Sequence, residues 1–169
     1  MTSLIRMAQQ SDCAELAKVH VASWQAGFKG IIDQDYLDKL DVDTRALGWS
    51  KLLSGERDKV YLQFDSESLI GFTSSCHCRD DDAQVTWGEI VTFYFLEQYW
   101  GKGFSHKLLS HALEQLELSG NDVTTIWVLK DNFRAQKFYA KHGFVVDGKE
   151  KTVDRGPVVL HELRMTRRS

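Results

Sequence analysis

A strand, a pair of glycines, a helix and a second strand follow one another in residues 83–129, and this order constrains the fold most. Residues 83–96 and 123–129 have the aromatic and aliphatic composition of strands, and residues 103–119 carry an apolar stripe with helical spacing. Two strands joined through a helix are expected to lie parallel, as neighbours in one sheet. Ligands favour the carboxyl ends of such strands, which is where Gly101 and Gly103 stand.

The remaining segments predict a mixed α/β sheet. Further strands are predicted at residues 4–7, 60–64, 68–78, 144–153 and 158–165. Helices are predicted at 12–24, in a short segment capped by Asp33, at 44–53 capped by Asp43, at 103–119, and from Asp131-Asn132 to Lys141. The whole corresponds to about seven strands flanked by about four helices. No linker rich in Pro, Gly or Ser divides the chain, so residues 1–169 are expected to form a single domain.

Composition excludes several classes of function. The net charge is −3 with both signs mixed along the chain, which argues against a general nucleic-acid surface. No apolar run approaches the roughly 20 residues that span a bilayer, and the first residues have no apolar leader, so a cytoplasmic protein that does not enter a membrane is expected. The three cysteines are too few, and odd in number, for a disulfide framework. No metal is expected, because strand alternation separates Cys76 and Cys78 from His77 and no second ligand pair follows.

The glycine pair marks a candidate anion site. A helix that begins at Gly103 leaves main-chain N–H groups unpaired and has about half a positive charge at its N-terminus, and Lys102, His106 and Lys107 add charge. The GxGxxG fingerprint is excluded because His106 stands at its third glycine, and GxxxxGK[ST] is absent. What remains is either a tight turn or a short loop that holds one pyrophosphate.

Two blocks of sequence carry a resemblance to a known family. These are YWGKGFSHKLL at residues 99–109 and TIWVLKDNFRAQKFYAKHGF at residues 124–143. The second resembles half of the acetyl-CoA site of the GCN5-related N-acetyltransferase superfamily, and the first resembles its pyrophosphate loop. The resemblance covers nearly the whole chain. It implies a splayed pair of parallel strands that holds acetyl-CoA, and transfer of the acetyl group to a primary amine by direct attack on the thioester.

The resemblance also implies roles for individual residues. Tyr139 would protonate the leaving thiolate, and Glu89 would be the base, unless it is an ordinary surface carboxylate of its strand. Main-chain N–H groups of residues 93–95 would stabilise the oxyanion, and those of residues 101–106 would bind the phosphates. The implied cofactor contacts are Phe93, Tyr94, Phe95, Trp100, Gly101, Lys102, Gly103, Phe104, Ser105, His106, Asn132, Arg134, Ala135 and Phe138.

Two positions depart from the family pattern, and the acceptor is less defined. Trp100 stands where Gln or Arg is usual, and it either packs beneath the loop or covers the pantetheine arm; Ser105 replaces a smaller residue. An aromatic pocket beside carboxylates, built from Trp24, Phe28 and Tyr36, would suit a cationic amine, small molecule or peptide, although the same rings could be core. A homodimer is compatible with the resemblance. The alternative function is a non-catalytic acyl-CoA-binding or interaction module.

Overall fold

Seven strands form one sheet in the computed structural model, which describes residues 3–169. The strands lie in the order β1-β2-β3-β4-β5-β7-β6, and β4 and β5 are the parallel pair, while the other neighbours are antiparallel. Their bounds are Ser3–Met7 (β1), Lys59–Asp65 (β2), Ser68–His77 (β3), Trp87–Phe95 (β4), Val123–Leu129 (β5), Val145–Asp154 (β6) and Val159–Arg168 (β7). The mixed sheet and its parallel pair are as the sequence predicts.

Five helices flank this sheet. They are Cys13–Gly27 (α1), Gln34–Asp38 (α2), Val42–Leu53 (α3), Phe104–Leu118 (α4) and Phe133–Ala140 (α5). Residues of α1 and α3 pack on β2 and β3, while α4 packs with α5 on the opposite face, against β4, β5 and β7. None of the helices in residues 3–169 is long and apolar enough to cross a membrane.

The apolar stripe of α4 provides the packing on one face. Leu109, Leu113 and Leu116 are buried against Ile90 of β4 and Ile126 of β5. Each fully buried leucine contributes about 1.5–3 kcal/mol relative to an exposed one, so this stripe fixes α4 across the parallel pair. The N-terminus of α4 is thereby held at the carboxyl end of β4.

Local hydrogen bonds move three of the predicted boundaries. The helix α3 begins at Val42 because the Asp41 carboxylate accepts a hydrogen bond from the Thr44 N–H at 2.7 Å, so the predicted cap at Asp43 is wrong. The helix α1 begins one residue after Asp12, whose carboxylate is bound to Arg6 and to the Gln9 N–H rather than to the helix. Residues 83–86 form turns, so β4 is shorter than predicted.

Candidate active site

The parallel strands β4 and β5 part half-way along their length. Their pairing runs from Trp87–Val123 to Ile90–Ile126 and stops, although β4 continues to Phe95 and β5 to Leu129. A β-bulge lies at the same point, since Ser75 pairs with Ile90 and Ser74 with Thr92, which leaves residue 91 as the extra residue. A bulge bends and twists its strand, so it accounts for the gap between the carboxyl halves of β4 and β5.

Main-chain groups of β4 point into this gap. The Leu96 N–H donates to the Ile70 carbonyl of β3, so strand alternation directs the N–H and C=O groups of Phe93 and Phe95 to the other side, towards β5. The Phe95 carbonyl accepts a hydrogen bond from the Trp100 indole at 3.0 Å. Two N–H groups of one strand are therefore arranged as donors where the partner strand has turned away.

A cavity of about 570 Å³ lies in the gap and reaches residues on both faces of the sheet. Most of the predicted site residues line it: Trp24, Phe28, Glu89, Phe93, Tyr94, Phe95, Trp100, Gly101, Ser105, Asn132, Arg134, Ala135, Phe138 and Tyr139. The predicted residues outside the lining are Tyr36, Lys102, Gly103, Phe104 and His106. Sequence reasoning did not assign site roles to His20, Arg45, Arg79 or Arg155, which line it together with Glu162 of the final strand.

The glycine loop forms one end of this cavity. Gly101 and Gly103 adopt φ angles of +71° and +86°, and a Cβ on either would meet no described atom within 4 Å. Gly103 is the N-cap of α4, whose first main-chain N–H groups have no partner within the helix. The side chain of Phe104 is buried in the core with Phe95 and Leu108, so this residue can offer a ligand only its main chain. The positive-φ glycines therefore expose a helix N-terminus to the open side of the loop.

Comparison with known proteins gives the family. The sequence profile of the acetyltransferase (GNAT) family matches residues 28–144. An uncharacterised N-acetyltransferase of Bacillus subtilis (strain 168), YuaI, is 32% identical over 130 residues, 76% of this chain and 72% of that protein. An uncharacterised N-acetyltransferase of Archaeoglobus fulgidus is 30% identical over 145 residues, 80% of this chain and 88% of that protein. The chain belongs to the acetyltransferase (GNAT) family.

The protein is accordingly an acetyltransferase. Its fold is also that of a solved structure, PaiA N-acetyltransferase from Thermoplasma acidophilum in complex with coenzyme A. The TM-score is 0.78 with 21% identity, and 100% of each chain is covered. The predicted family and fold are thus confirmed.

Trp100, the least family-like residue of this GNAT site, has a structural role as well as a place in the cavity wall. Its indole N–H holds the Phe95 carbonyl, and its ring packs against the core beneath the loop. The Arg134 guanidinium stacks on the same ring, 3.4 Å from the centroid. Trp100 thus packs against the core and also lines the cavity. Both predicted roles, packing beneath the loop and covering the pantetheine arm, are compatible with this position.

Two residues of the DNFRAQKFY block adopt defined positions. The Asn132 side-chain oxygen accepts a hydrogen bond from the Ala135 N–H at 3.1 Å and caps α5, which leaves its NH₂ group to the cavity side. Tyr139 lies about two turns after Asn132, is 5% exposed, and has its ring against Phe93 and Phe144. Burial raises the pKa of Tyr139, so its hydroxyl keeps its proton and remains a donor over the working pH range.

The two carboxylates of the cavity differ in their partners. Glu89, 2% exposed, accepts hydrogen bonds from the Arg79 guanidinium at 2.6 and 3.0 Å and from the Arg79 main-chain N–H at 3.2 Å. Glu162 on β7 has one looser partner, the Lys151 ammonium at 3.7 Å. Burial raises the pKa of Glu162, and the Lys151 charge opposes the shift. Glu162 therefore has free acceptor capacity that Glu89 has largely used.

Aromatic rings form the opposite end of the cavity, next to α1. Trp24, Phe28 and Tyr94 pack edge to face, with centroids 5.0 to 6.2 Å apart. His20 stacks on Tyr94 at 5.4 Å, and burial, helped by nearby arginine charges, lowers the pKa of His20 to about 3. Tyr36 packs against the same hydrophobic cluster as Trp24 and Phe28, but it lines a neighbouring depression with aspartates rather than this cavity.

Proposed function

We propose that this acetyltransferase transfers the acetyl group of acetyl-CoA to a primary amine by direct attack on the thioester. The observation that carries the proposal is the gap between β4 and β5, which is continuous with a cavity lined from both faces of the sheet. One face would receive the donor at the glycine loop and α5. The other would admit the amine beside α1, so that the two reactants meet at the free N–H groups of β4.

The donor end has the groups that a pyrophosphate and a pantetheine arm require. Main-chain N–H groups at the start of α4 would bind the phosphates, with Ser105 adding a hydroxyl donor, and the positive-φ glycines keep Cβ atoms out of their way. Lys102 and Arg134 would add positive charge, and His106 would contribute its main-chain N–H. The NH₂ group of Asn132 would bind a pantetheine amide, and Phe138 would pack against the arm.

The reaction needs a neutral amine. An amine with a pKa of about 10.4 is uncharged in roughly one molecule in two thousand at pH 7, so a base must remove its proton. Glu162 suits this role, directly or through a water molecule, because its carboxylate is loosely held and its pKa is raised. Glu89, the base predicted from the sequence, is bound by the Arg79 guanidinium. Its proposed role is to orient Arg79 and to balance the arginine charge in this wall of the cavity.

Two further groups would act on the acyl centre. As the amine nitrogen bonds to the carbonyl carbon, the N–H groups of Phe93 and Phe95 would stabilise the negative charge on its oxygen. When the C–S bond breaks, the Tyr139 hydroxyl would give its proton to the thiolate, which would otherwise leave as a charged group. The Tyr139 phenolate would then regain a proton, through solvent, from the attacking nitrogen as that nitrogen becomes the amide.

Thermal denaturation with acetyl-CoA, CoA and ATP, followed by a CoA-release assay with an amine panel, tests the proposal. Stabilisation by both CoA species, at concentrations at which ATP has little effect, is expected, together with amine-dependent CoA release. If neither CoA species raises the denaturation temperature, the proposed donor site is refuted. A shift without turnover of any amine would favour the non-catalytic acyl-CoA-binding module.

Four other properties stay predictions. They are a single N-acetyltransferase domain over residues 1–169, a cytoplasmic location, the absence of nucleic-acid binding, and a homodimer. Size-exclusion chromatography with light scattering would test the last of these.

A further inference from the structure

Two arginine side chains line the acceptor end of the cavity without an anionic partner. Arg45 comes from α3 and Arg155 from the turn between β6 and β7; they are called here the arginine pair. Within residues 3–169, neither forms a salt bridge with a carboxylate. The Arg45 guanidinium lies 5.6 Å from the Trp24 ring centroid, over the aromatic wall. Arg45 is half-buried and also borders the depression lined by aspartates, whereas Arg155 is exposed, so the charge that is partly withdrawn from water without a salt bridge is that of Arg45.

The charges of the arginine pair converge on the same place. Both lower the pKa of His20, and both act on Tyr94, which stacks on it. Burial lowers the pKa of Arg45, and the charge of Arg155 lowers it further. Two like charges at a partly desolvated site are unfavourable unless an anion lies with them. A ligand that supplies the anion would relieve this repulsion.

The remaining charges of the cavity are already engaged. Five basic side chains and two carboxylates line it, in a chain whose net charge is −3. Arg79 and Lys151 face the carboxylates of Glu89 and Glu162, and Arg134 stacks on Trp100 at the other end. The Arg155 charge also acts on the Glu162 carboxylate, without a salt bridge, so the lining as a whole keeps a positive excess towards its acceptor end.

The neutral groups beside the arginine pair are donors too. The Trp49 indole N–H donates to Nδ1 of His20 at 3.1 Å, so neutral His20 must carry its proton on Nε2. That Nε2 and the Trp24 indole N–H are buried and have no hydrogen-bond partner in residues 3–169. A group rich in acceptors and free of donors, such as an oxyanion, complements this wall.

We infer that the amine acceptor of this acetyltransferase also carries an oxyanion, a carboxylate or a phosphoryl group, which the arginine pair binds. The inference rests on the proposed function. Planar guanidinium groups bind such oxyanions through paired, charge-assisted hydrogen bonds, and the bound oxyanion would direct the amine along the aromatic wall to the gap in the sheet. A diamine or polyamine would bring a second positive charge to the arginine pair and is disfavoured.

An acceptor panel at saturating acetyl-CoA tests the inference. It contains amino acids, their carboxamides, aminoalkylphosphonates and diamines of matched length. Acidic acceptors are expected to exceed the matched amides in kcat/KM by about tenfold or more, because a charge-assisted hydrogen bond would be lost in the amide. The carboxylate and phosphonate arms identify which oxyanion the site prefers.

Variants of the arginine pair test whether these two residues cause the preference for acidic acceptors. Arg45→Gln and Arg155→Gln are each expected to raise KM for the acidic acceptor about tenfold to a hundredfold. The KM values for the amide and for acetyl-CoA should stay unchanged, and Arg45→Lys should restore part of the loss. Arg168→Gln, at an exposed arginine at the end of β7 and outside the cavity lining, is the matched control. Acetyl-CoA-dependent stabilisation of each variant checks its folding.

Three results overturn the inference while leaving the proposed function intact. One is turnover of amides or diamines as efficient as that of the acids, and another is acetyl-CoA binding with no acidic acceptor turned over. An acid preference that survives in the Arg45→Gln, Arg155→Gln double variant also overturns it. Failure to bind acetyl-CoA, by contrast, would refute the proposed function itself.

Discussion

Tyr139 combines a buried ring with a hydroxyl that keeps its proton, because burial raises its pKa. Tyr139→Phe removes the hydroxyl and leaves the ring packed against Phe93 and Phe144. We expect kcat to fall about a hundredfold, the usual contribution of a general acid, with KM for acetyl-CoA unchanged. Steady-state kinetics with a CoA-release assay measure this. A variant as fast as the wild type at every pH would remove the tyrosine from the reaction.

The two carboxylates of the cavity are expected to affect the pH profile of the activity differently. A base works only when deprotonated, and burial raises the pKa of Glu162, so activity should be lost as pH falls through a value above that of an exposed glutamate. Glu162→Gln should abolish this acid limb and lower kcat/KM about a hundredfold.

Glu89→Gln is the matched comparison, because it changes the carboxylate that Arg79 already binds. It should lower stability and keep the acid limb. The reverse result, with the limb lost in Glu89→Gln and kept in Glu162→Gln, would restore the base predicted from the sequence.

At the scale of elements, the junction of β4 and α4 depends on backbone angles that only glycine adopts easily. Gly103→Ala places a Cβ at a φ of +86° and at the open side of the loop. We expect a loss of about 1–2 kcal/mol in the free energy of unfolding, and an acetyl-CoA affinity that falls about tenfold or more. Thermal denaturation and calorimetry measure the two effects.

Gly120→Ala is the matched control for this junction. Gly120 follows the other end of α4 with a φ of +88°, and a Cβ there also meets no described atom within 4 Å. This variant should lose a similar stability and keep its affinity for acetyl-CoA. Equal losses of affinity in both variants would mean that backbone strain, rather than the loop, governs binding.

The sequence predicts a helix or strand well where its apolar residues recur with a regular spacing. It does not predict the point at which two paired strands separate. Residues 123–129 were predicted as a strand and form β5, and the stripe of α4 identifies its buried face. The gap between β4 and β5 depends on a bulge opposite Ser74 and Ser75, which belong to another strand. Strand alternation alone would have continued the pairing.

The same limit applies to the site. The cofactor end lies mainly in two short blocks, so spacing and resemblance locate most of its residues. The arginine pair comes from α3 and from a turn more than a hundred residues later, and only the fold brings them to one wall. Nothing in the sequence marks Arg79 as part of the site, and the fold makes it the partner of Glu89.

At the scale of the whole molecule, one buried histidine couples folding to pH. His20 packs among Trp24, Trp49, Phe72 and Tyr94, and its pKa is lowered from 6.5 to about 3, first by burial and then by the arginine charges. The unfolded chain binds a proton at this residue below about pH 6.5, whereas the folded chain does not until near pH 3. Its contribution to stability is therefore fully present above pH 6.5 and is lost progressively as pH falls towards 3.

His20→Gln removes this titration while keeping an acceptor for the Trp49 indole. Between pH 7 and pH 5, the wild type should lose about 2 kcal/mol more unfolding free energy than the variant, because one proton is linked to unfolding over that range. Urea denaturation at the two pH values measures the difference, and His77→Gln, at an exposed position, controls for the change of side chain. The variant will be less stable at pH 7, since the packed ring is lost. The test is therefore the change in unfolding free energy between the two pH values, not its value at either one. Parallel curves for wild type and His20→Gln would mean that His20 is protonated as readily in the folded protein as in the unfolded chain.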